Sequence, residues 1–220
     1  MIFQLDEDSI YFPDPREGEP DGLIAVGGDL SPQRLLHAYS LGFFPWFSFN
    51  DCEEPEWYCP MQRMVIFPGE IHISHSMRNL LNKGKYRCTI NRAFTRVIAG
   101  CAEKRMDMAG AWLGEDMIRA YTRLHEMGFA ASVEVWNGDF LAGGLYGVTI
   151  GNVFAGESMF SREPSASKLA MIHLARYMSK AGGSLIDCQI GTPHLESMGA
   201  RYIPYEEYLR ILRQPRWLEN

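Results

Sequence analysis

Phe154-Ala-Gly-Glu-Ser-Met-Phe-Ser-Arg162, with Pro164-Ser-Ala-Ser-Lys168 just beyond Glu163, is the stretch whose reading decides the fold. It interleaves two buried-type aromatics, Phe154 and Phe160, with a carboxylate (Glu157), hydroxyls (Ser158, Ser161, Ser165) and cations (Arg162, Lys168). A strand placed only for packing seldom carries so many polar groups among its aromatics. Two readings stay open: an edge strand with a solvated face, or a strand that delivers polar groups to a site.

Working outward, residues 131–136 read as a strand, Asn137-Gly138 as a tight hairpin turn, and residues 140–149 as the return strand. Gly151-Asn152 turns into the quoted strand. Ser165 is expected to cap a helix over residues 166–180, which Gly182-Gly183 closes. Residues 184–190 form a further strand and residues 205–212 a last helix. An antiparallel meander, a crossing helix and another strand give an α+β fold. It resembles the core of the N-acetyltransferase-like (GNAT-like) fold, with a largely antiparallel sheet. The expected division is a small N-terminal α/β domain, residues 1–90, packed on a GNAT-like catalytic domain, residues 91–220.

The first half is more broken. Residues 1–28 read as short extended pieces interrupted by Pro13, Pro15, Pro20 and Gly27-Gly28. Asp29-Leu-Ser-Pro32 signals a helix start, Leu35, Leu36 and Tyr39 its apolar stripe, and Gly42 its stop. Phe43-Phe-Pro-Trp-Phe-Ser48 is too aromatic and too Pro-broken for a helix. It is expected to be a loop whose rings are buried or bind something flat. Short strands follow at residues 57–60 and 64–67, a helix at 74–82, a strand at 86–90, a helix marked by Phe94, Val97, Ile98 and Cys101, a loop with Trp112, and a helix over 115–127 carrying Met117, Tyr121 and Leu124 inward.

At 220 residues with 46% hydrophobic and 22% charged content, the chain can bury a sizeable core. No apolar run is long enough to span a membrane, and the acidic start lacks the order of a signal peptide, so the protein is expected in the cytoplasm. Five cysteines without a C-x-x-C pair argue against a disulfide framework or a zinc ribbon, and no metal is expected. The net charge of −6 speaks against a nucleic-acid partner, but its distribution does not. Between Ile71 and Ala102 there is no acid, yet Arg78, Lys83, Lys85, Arg87, Arg92 and Arg96 fall there. That island either attracts phosphates or is balanced by acids brought close in the fold.

In Leu185-Ile-Asp-Cys-Gln-Ile190 alternate side chains face opposite sides. Ile186, Cys188 and Ile190 are expected in one apolar layer, with Leu185, Asp187 and Gln189 on the other face. A carboxylate beside an amide on a buried strand either handles a proton or amine, or ties down a neighbouring loop. Glu157, on the adjacent strand, attracts a cationic group or pairs with Arg162. No Walker loop, G-x-S-x-G elbow, G-x-G-x-x-G or acyl-CoA loop is present. Gly143-Gly-Leu-Tyr-Gly147 sits mid-strand and signals close backbone approach, not a phosphate cradle.

Gly27-Gly-Asp-Leu-Ser31, Phe44-Pro-Trp-Phe-Ser48, Gly156-Glu-Ser-Met-Phe-Ser161, Ala166-Ser-Lys168 and Asp187-Cys-Gln189 resemble the leucyl/phenylalanyl-tRNA–protein transferases, across residues 9–208. The resemblance implies a cytoplasmic enzyme that moves Leu or Phe from its tRNA onto the N-terminal Lys or Arg of a protein, marking it for Clp-type proteolysis. No cofactor, no membrane partner and a monomer are expected. The resemblance puts Asp187 and Gln189 at the catalytic centre, Trp46 and Trp112 on the terminal adenosine, and Leu145 and Phe154 in the aminoacyl pocket. Glu157 would lie where the acceptor amine enters, with Ser158 and Ile186 also contacting substrate. Departures are Leu145 for a Met, Gly110-Ala-Trp-Leu113 for Gly-Thr-Trp-Ile, and His75, Asn79 and Asn82 where some members carry Arg or Lys. The tRNA contacts are therefore assigned to Arg78, Lys83, Lys85 and Arg87.

An aminoacyl ester is already activated, so catalysis is mainly alignment of an amine against it. That amine titrates near ~8 and must lose a proton. Asp187, positioned by Gln189, takes that proton, or else orients the amine while the leaving ribose hydroxyl shuttles it. Two other readings remain open from the residues: an acyl-CoA N-acyltransferase on the same fold, and a non-catalytic RNA-binding module using the basic island.

Overall fold

A computed structural model describes residues 1–46, 54–106 and 114–217 of the chain. Phe47 and Trp112 lie outside the described residues.

Strand β1 (Phe3–Leu5) pairs in parallel with β2 (Leu23–Gly27). Helix α1 (Pro32–Ser40) starts as its sequence dictates: Ser31 Oγ accepts the Arg34 N–H at 3.3 Å, and Pro32 fills a position whose N–H would be unbonded anyway. Gly42, at φ +87°, turns the chain out of the helix. Within the aromatic run that follows, Phe44–Trp46 is strand, not loop. β3 (Phe44–Trp46) pairs antiparallel with β4 (Glu56–Tyr58) at the rim of a sheet ordered β1-β2-β4-β3. Pro45 is tolerated because β3 is an edge strand. Phe43 stacks on Phe12 at 4.8 Å, and the buried Trp57 indole donates to Gly27 O at 2.9 Å, so much of this aromatic content is core.

The chain then crosses to a second sheet. Its elements are β5 (Gln62–Ile66), α2 (His75–Asn82, capped by Ser74), β6 (Arg87–Ile90), α3 (Phe94–Met106) and α4 (Glu115–Glu126). There follow the meander β7 (Ala130–Asn137), β8 (Phe140–Ile150) and β9 (Val153–Ser161), then α5 (Ala166–Ala181) and β10 (Leu185–Gln189). Short α6 (Pro193–Glu196), β11 (Arg201–Pro204) and α7 (Tyr205–Leu212) end it. The strand order is β11-β5-β10-β9-β8-β7-β6, antiparallel except where α5 returns β10 parallel to β9. The fold is thus mixed α+β with two mostly antiparallel sheets. Elements α6 and β11 were not expected; four residues carry too little periodicity to read.

The larger sheet is apolar on both faces. Tyr146, Val148, Ala155 and Leu185 face α3, α4 and the core of the small sheet, around Ile24, Leu35 and Trp57. Val133, Leu145, Phe154 and Ile186 face α5. Sheet membership changes between Tyr58 and Gln62, so the expected boundary near residue 90 does not coincide with the division between the sheets. β5 and β6 belong to the larger one.

The glycine run does what close approach demands. A Cβ on Gly147 would sit 2.1 Å from Ala155 O and 2.6 Å from the Phe154 ring. Ser165 corrects an expectation. It precedes α5 but in a left-handed conformation, φ +67°, and its side chain caps nothing. The capping acceptor is Ser161 Oγ, which takes the Ser167 N–H at 2.9 Å.

Candidate active site

β9 and β10 lie side by side with Ile186 opposite Phe154 and Asp187 opposite Ala155. Their ends, together with β3, α5 and the turn into α6, enclose a cavity of about 330 Å³. That is within the range of small-ligand pockets, about 300–1,000 Å³. Phe44, Pro45 and Trp46 form one wall, Glu157, Asp187 and Gln189 a polar wall, and Met159, Met171, Ile186 and Leu195 an apolar end.

The expected alternation along β10 holds as far as Cys188. Leu185 and Ile186 go to opposite apolar layers. Gln189 then adopts φ +62°, a left-handed conformation rare for a residue with a Cβ, and the register against β5 slips between Asp187 and Gln189. Ile190, expected in the apolar layer, is consequently 39% exposed. The strained backbone is held by the Gln189 N–H, which donates to Asp187 Oδ1 at 2.8 Å.

Asp187 is fully buried. Arg63 Nε, from β5, donates to its two oxygens at 3.0 and 3.1 Å, and the Tyr208 hydroxyl, from α7, donates to Oδ2 at 2.9 Å. Arg63 is itself buried, its guanidinium carbon 4.9 Å from the Phe44 ring centre and 4.7 Å from that of Tyr208, with Nη2 on Gly42 O at 2.6 Å. Burial opposes the Arg63 charge, but the Asp187 carboxylate together with Tyr208 and Cys59 outweighs it and holds the guanidinium proton more tightly than usual. Burial and the Asp187 charge push the Tyr208 hydroxyl well above the ordinary tyrosine range.

Glu157 is also buried. Gln189 Nε2 donates to its Oε1 at 3.0 Å, and the Tyr121 hydroxyl donates to Oε2 at 2.8 Å. Tyr121 is in turn 2.6 Å from the Tyr39 hydroxyl. Burial raises the Glu157 carboxyl to about 7; the tyrosine hydroxyls and the Gln189 amide pull it down, and the Asp187 charge pushes it up. Arg162 does not reach Glu157. It pairs with Glu103 at 2.5 Å, just past the end of β9.

Of the other expected site residues, Trp46, Ser158 and Ile186 line the cavity. Leu145 and Phe154 do not. They are buried behind it, Leu145 opposite Met159 and Phe154 opposite Ile186. Arg78, Lys83, Lys85 and Arg87 are exposed, but Lys85 is committed to Glu163 at 2.7 Å. Arg87 and Arg96 both lie over the Trp136 ring, at 5.7 and 5.0 Å. Arg63, Tyr208, Tyr39 and Tyr121 do not stand out from the sequence as site residues. A signal exists for the tyrosines: a hydroxyl on an inward helical stripe must find a partner. Among the described residues, no group of His, Cys, Asp or Glu could hold a metal ion, and no helix is long and apolar enough to cross a membrane.

A buried acid and amide beside an apolar hollow make a candidate site for a group-transfer enzyme. The comparisons with known proteins give the family. The chain matches the Leucyl/phenylalanyl-tRNA protein transferase model over residues 65–213 and the N-terminal domain model of the same description over residues 28–61. It is similar to proteins named leucyl/phenylalanyl-tRNA--protein transferase from Idiomarina loihiensis (49% identity, 96% of this chain and 90% of that one) and Nitrosospira multiformis (51%, 97% and 92%). The one from Nitrosomonas europaea is 54% identical over 89% of this chain and 82% of its own. A conserved protein of unknown function from Bacteroides thetaiotaomicron superposes with a TM-score of 0.49 at 10% identity, over 78% of this chain and 62% of that one. The chain belongs to the leucyl/phenylalanyl-tRNA protein transferase family.

Proposed function

We propose that this protein is a cytoplasmic aminoacyltransferase that moves Leu or Phe from aminoacyl-tRNA to the N-terminal Lys or Arg of an acceptor protein, marking it for Clp-type degradation. The observation that carries the reading is the meeting of Glu157, Asp187 and Gln189 with an apolar cavity beside Trp46, in a chain about half identical to its named relatives.

The ester donor is activated, so the site's work is to align an amine and remove its proton. In this reading the unbranched-at-Cβ Leu or Phe side chain enters the apolar end, between Met159, Met171, Ile186 and Leu195. Leu145 and Phe154 act from behind, fixing Met159 and Ile186. Trp46, with Trp112, stacks on the terminal adenosine. Asp187 serves to position Gln189: its oxygens are occupied by Arg63, Tyr208 and the Gln189 N–H, which leaves the amide fixed at the cavity. Protonating it would strand a buried guanidinium. Gln189 and Ser158 border the amine's position. Arg78, Lys83 and Arg87, with Lys85 beside them, receive tRNA phosphates. The meander β7-β8-β9, crossing helix α5 and parallel β10 support reading the larger sheet as GNAT-like. The division into units falls near residue 61, and the protein acts as a monomer.

The test is direct. Purified protein, Leu-tRNA and a peptide beginning with Lys yield a peptide beginning Leu-Lys, and acetyl-CoA in place of the tRNA yields nothing. No product with a competent charged tRNA overturns the proposal.

A further inference from the structure

We propose that Glu157 accepts the proton that the acceptor amine must lose, and that Tyr121 and Tyr39 are positioning residues that set its readiness to do so. This rests on the transferase reading above and assigns a step that the reading leaves open.

The candidates on the polar wall separate by geometry. Asp187 is locked to Arg63 through both oxygens. Gln189 is an amide, a weak base, and its Nε2–H is spent on Glu157. Glu157 lines the cavity, accepts only from neutral donors, and among the described residues has no Lys or Arg paired with it. It is therefore the carboxylate that can take a proton without breaking an ion pair.

Its hydrogen-bond chain has a fixed direction. Tyr121 donates to Glu157, so Tyr39 must donate to Tyr121. Both phenols are buried and held well above their ordinary value by burial and by the Glu157 charge, so they stay neutral donors. The groups facing Glu157 are Tyr39 from α1, Tyr121 from α4, and Asp187 and Gln189 from β10. Tyr146 of β8 packs edge-on against Tyr121 at 5.5 Å, and Arg63 of β5 stands behind Asp187. The donors favour the carboxylate, while burial and Asp187 favour the acid. The two influences hold Glu157 close to neutrality, where a base can both take and release a proton.

The step balances. The acceptor ammonium gives one proton to the Glu157 carboxylate, leaving a neutral amine and a carboxylic acid. The amine nitrogen bonds to the ester carbonyl carbon as the bond to the ribose oxygen breaks. The amine's second proton leaves on that oxygen, and Glu157 returns its proton to water.

The experiment is single-turnover transfer from Leu-tRNA to a Lys-peptide between about pH 5.5 and about pH 9, for wild type, Tyr121→Phe, Tyr39→Phe, Glu157→Gln and Glu157→Asp. The wild-type rate rises with pH through a limb belonging to Glu157. Tyr121→Phe moves that limb to higher pH, with its rate recovered at the alkaline end, and Tyr39→Phe moves it the same way. The amine's own limb is common to all. Glu157→Gln loses the limb and on the order of 100-fold in rate, with Glu157→Asp restoring part. Binding of Leu-tRNA, read separately, is unchanged. An unmoved limb in both tyrosine variants, or a wild-type profile in Glu157→Gln, overturns the inference while leaving the transferase reading intact. Wild-type protein that yields no product removes both. Should Tyr121→Phe fail to fold, Tyr39→Phe and Glu157→Gln decide the matter.

Discussion

Arg63 and Asp187, 124 residues apart in sequence, form a buried ion pair in which one guanidinium nitrogen reaches both carboxylate oxygens. The pair joins β5 to β10 across the register slip that turns Gln189 into the cavity. A charge pair in the interior seldom repays its desolvation as stability alone. Here it fixes the carboxylate that holds Gln189 in a strained conformation, so its yield is geometry.

Removing one partner is accordingly costly. Arg63→Met leaves the Asp187 carboxylate buried and unpaired and is expected to destabilise the fold by about 3–5 kcal/mol. Arg63→Lys does not restore it, since an ammonium can neither lie flat between Phe44 and Tyr208 nor reach Gly42 O while it holds Asp187. The double variant Arg63→Met/Asp187→Leu recovers most of the loss. Urea denaturation midpoints check this; equal stability of Arg63→Met and wild type would show the pair to be dispensable.

Glu157 predicts a pH dependence of stability. Its folded-state value, about 7, lies above its ordinary 4.5, so folding favours the protonated form. The contribution is complete below the ordinary value and is lost as pH rises through the folded one. Glu157→Gln, which cannot ionise, should gain on wild type between those limits, by at most about 3 kcal/mol. Thermal unfolding of both proteins at acidic and mildly alkaline pH measures the gap. A difference independent of pH contradicts the raised value.

Much of this is legible in the sequence, and what is not has a physical reason. Ser31-Pro32 and Asn137-Gly138 fix local geometry by local chemistry, so α1 and the β7-β8 hairpin can be read directly. Asp187 and Gln189 stand out because polar groups on a buried strand are expensive. Arg63 does not, because its meaning depends on which strand lies beside β10, and pairing of β5 with β10 is a long-range fact. Tyr39 and Tyr121 fit an apolar stripe equally well, and only the fold brings their hydroxyls together. The run at Phe43 reads as loop because Pro45 forbids a central strand, yet it does not forbid an edge one.

Gly147 tests the reading of the glycine run. Its Cβ position is filled by a neighbouring backbone carbonyl, not by a flexible side-chain end. Gly147→Ala must therefore push β8 and β9 apart next to Phe154. A loss of about 1–3 kcal/mol is expected, as for overpacking generally. Gly114→Ala is the control, because nothing lies within 4 Å of its Cβ position. If the two variants unfold at the same denaturant concentration, the strands do not approach as closely as described.

In the proposed reading the basic island is expected to contribute unequally to tRNA binding, and the inequality follows from one acid. Glu163 accepts from Lys85, from the Tyr86 hydroxyl and from Asn137 Nδ2, and these donors, Asn137 first, bring its carboxyl down to about 2. Lys85 is thus already neutralised by a partner that stays ionised at any working pH. Among the described residues Arg78, Lys83 and Arg87 have no such acid. Removing one phosphate-bound cation should lower the salt slope of binding by about one. Arg87→Ala and Lys83→Ala are expected to show that drop, Lys85→Ala a smaller one, and Glu163→Gln a steeper slope than wild type because it releases the Lys85 charge. Filter binding of Leu-tRNA across a salt series reads all four. Equal slopes for Lys85→Ala and Arg87→Ala would mean that tRNA displaces Glu163 from Lys85 on binding, and the island would then act as a whole.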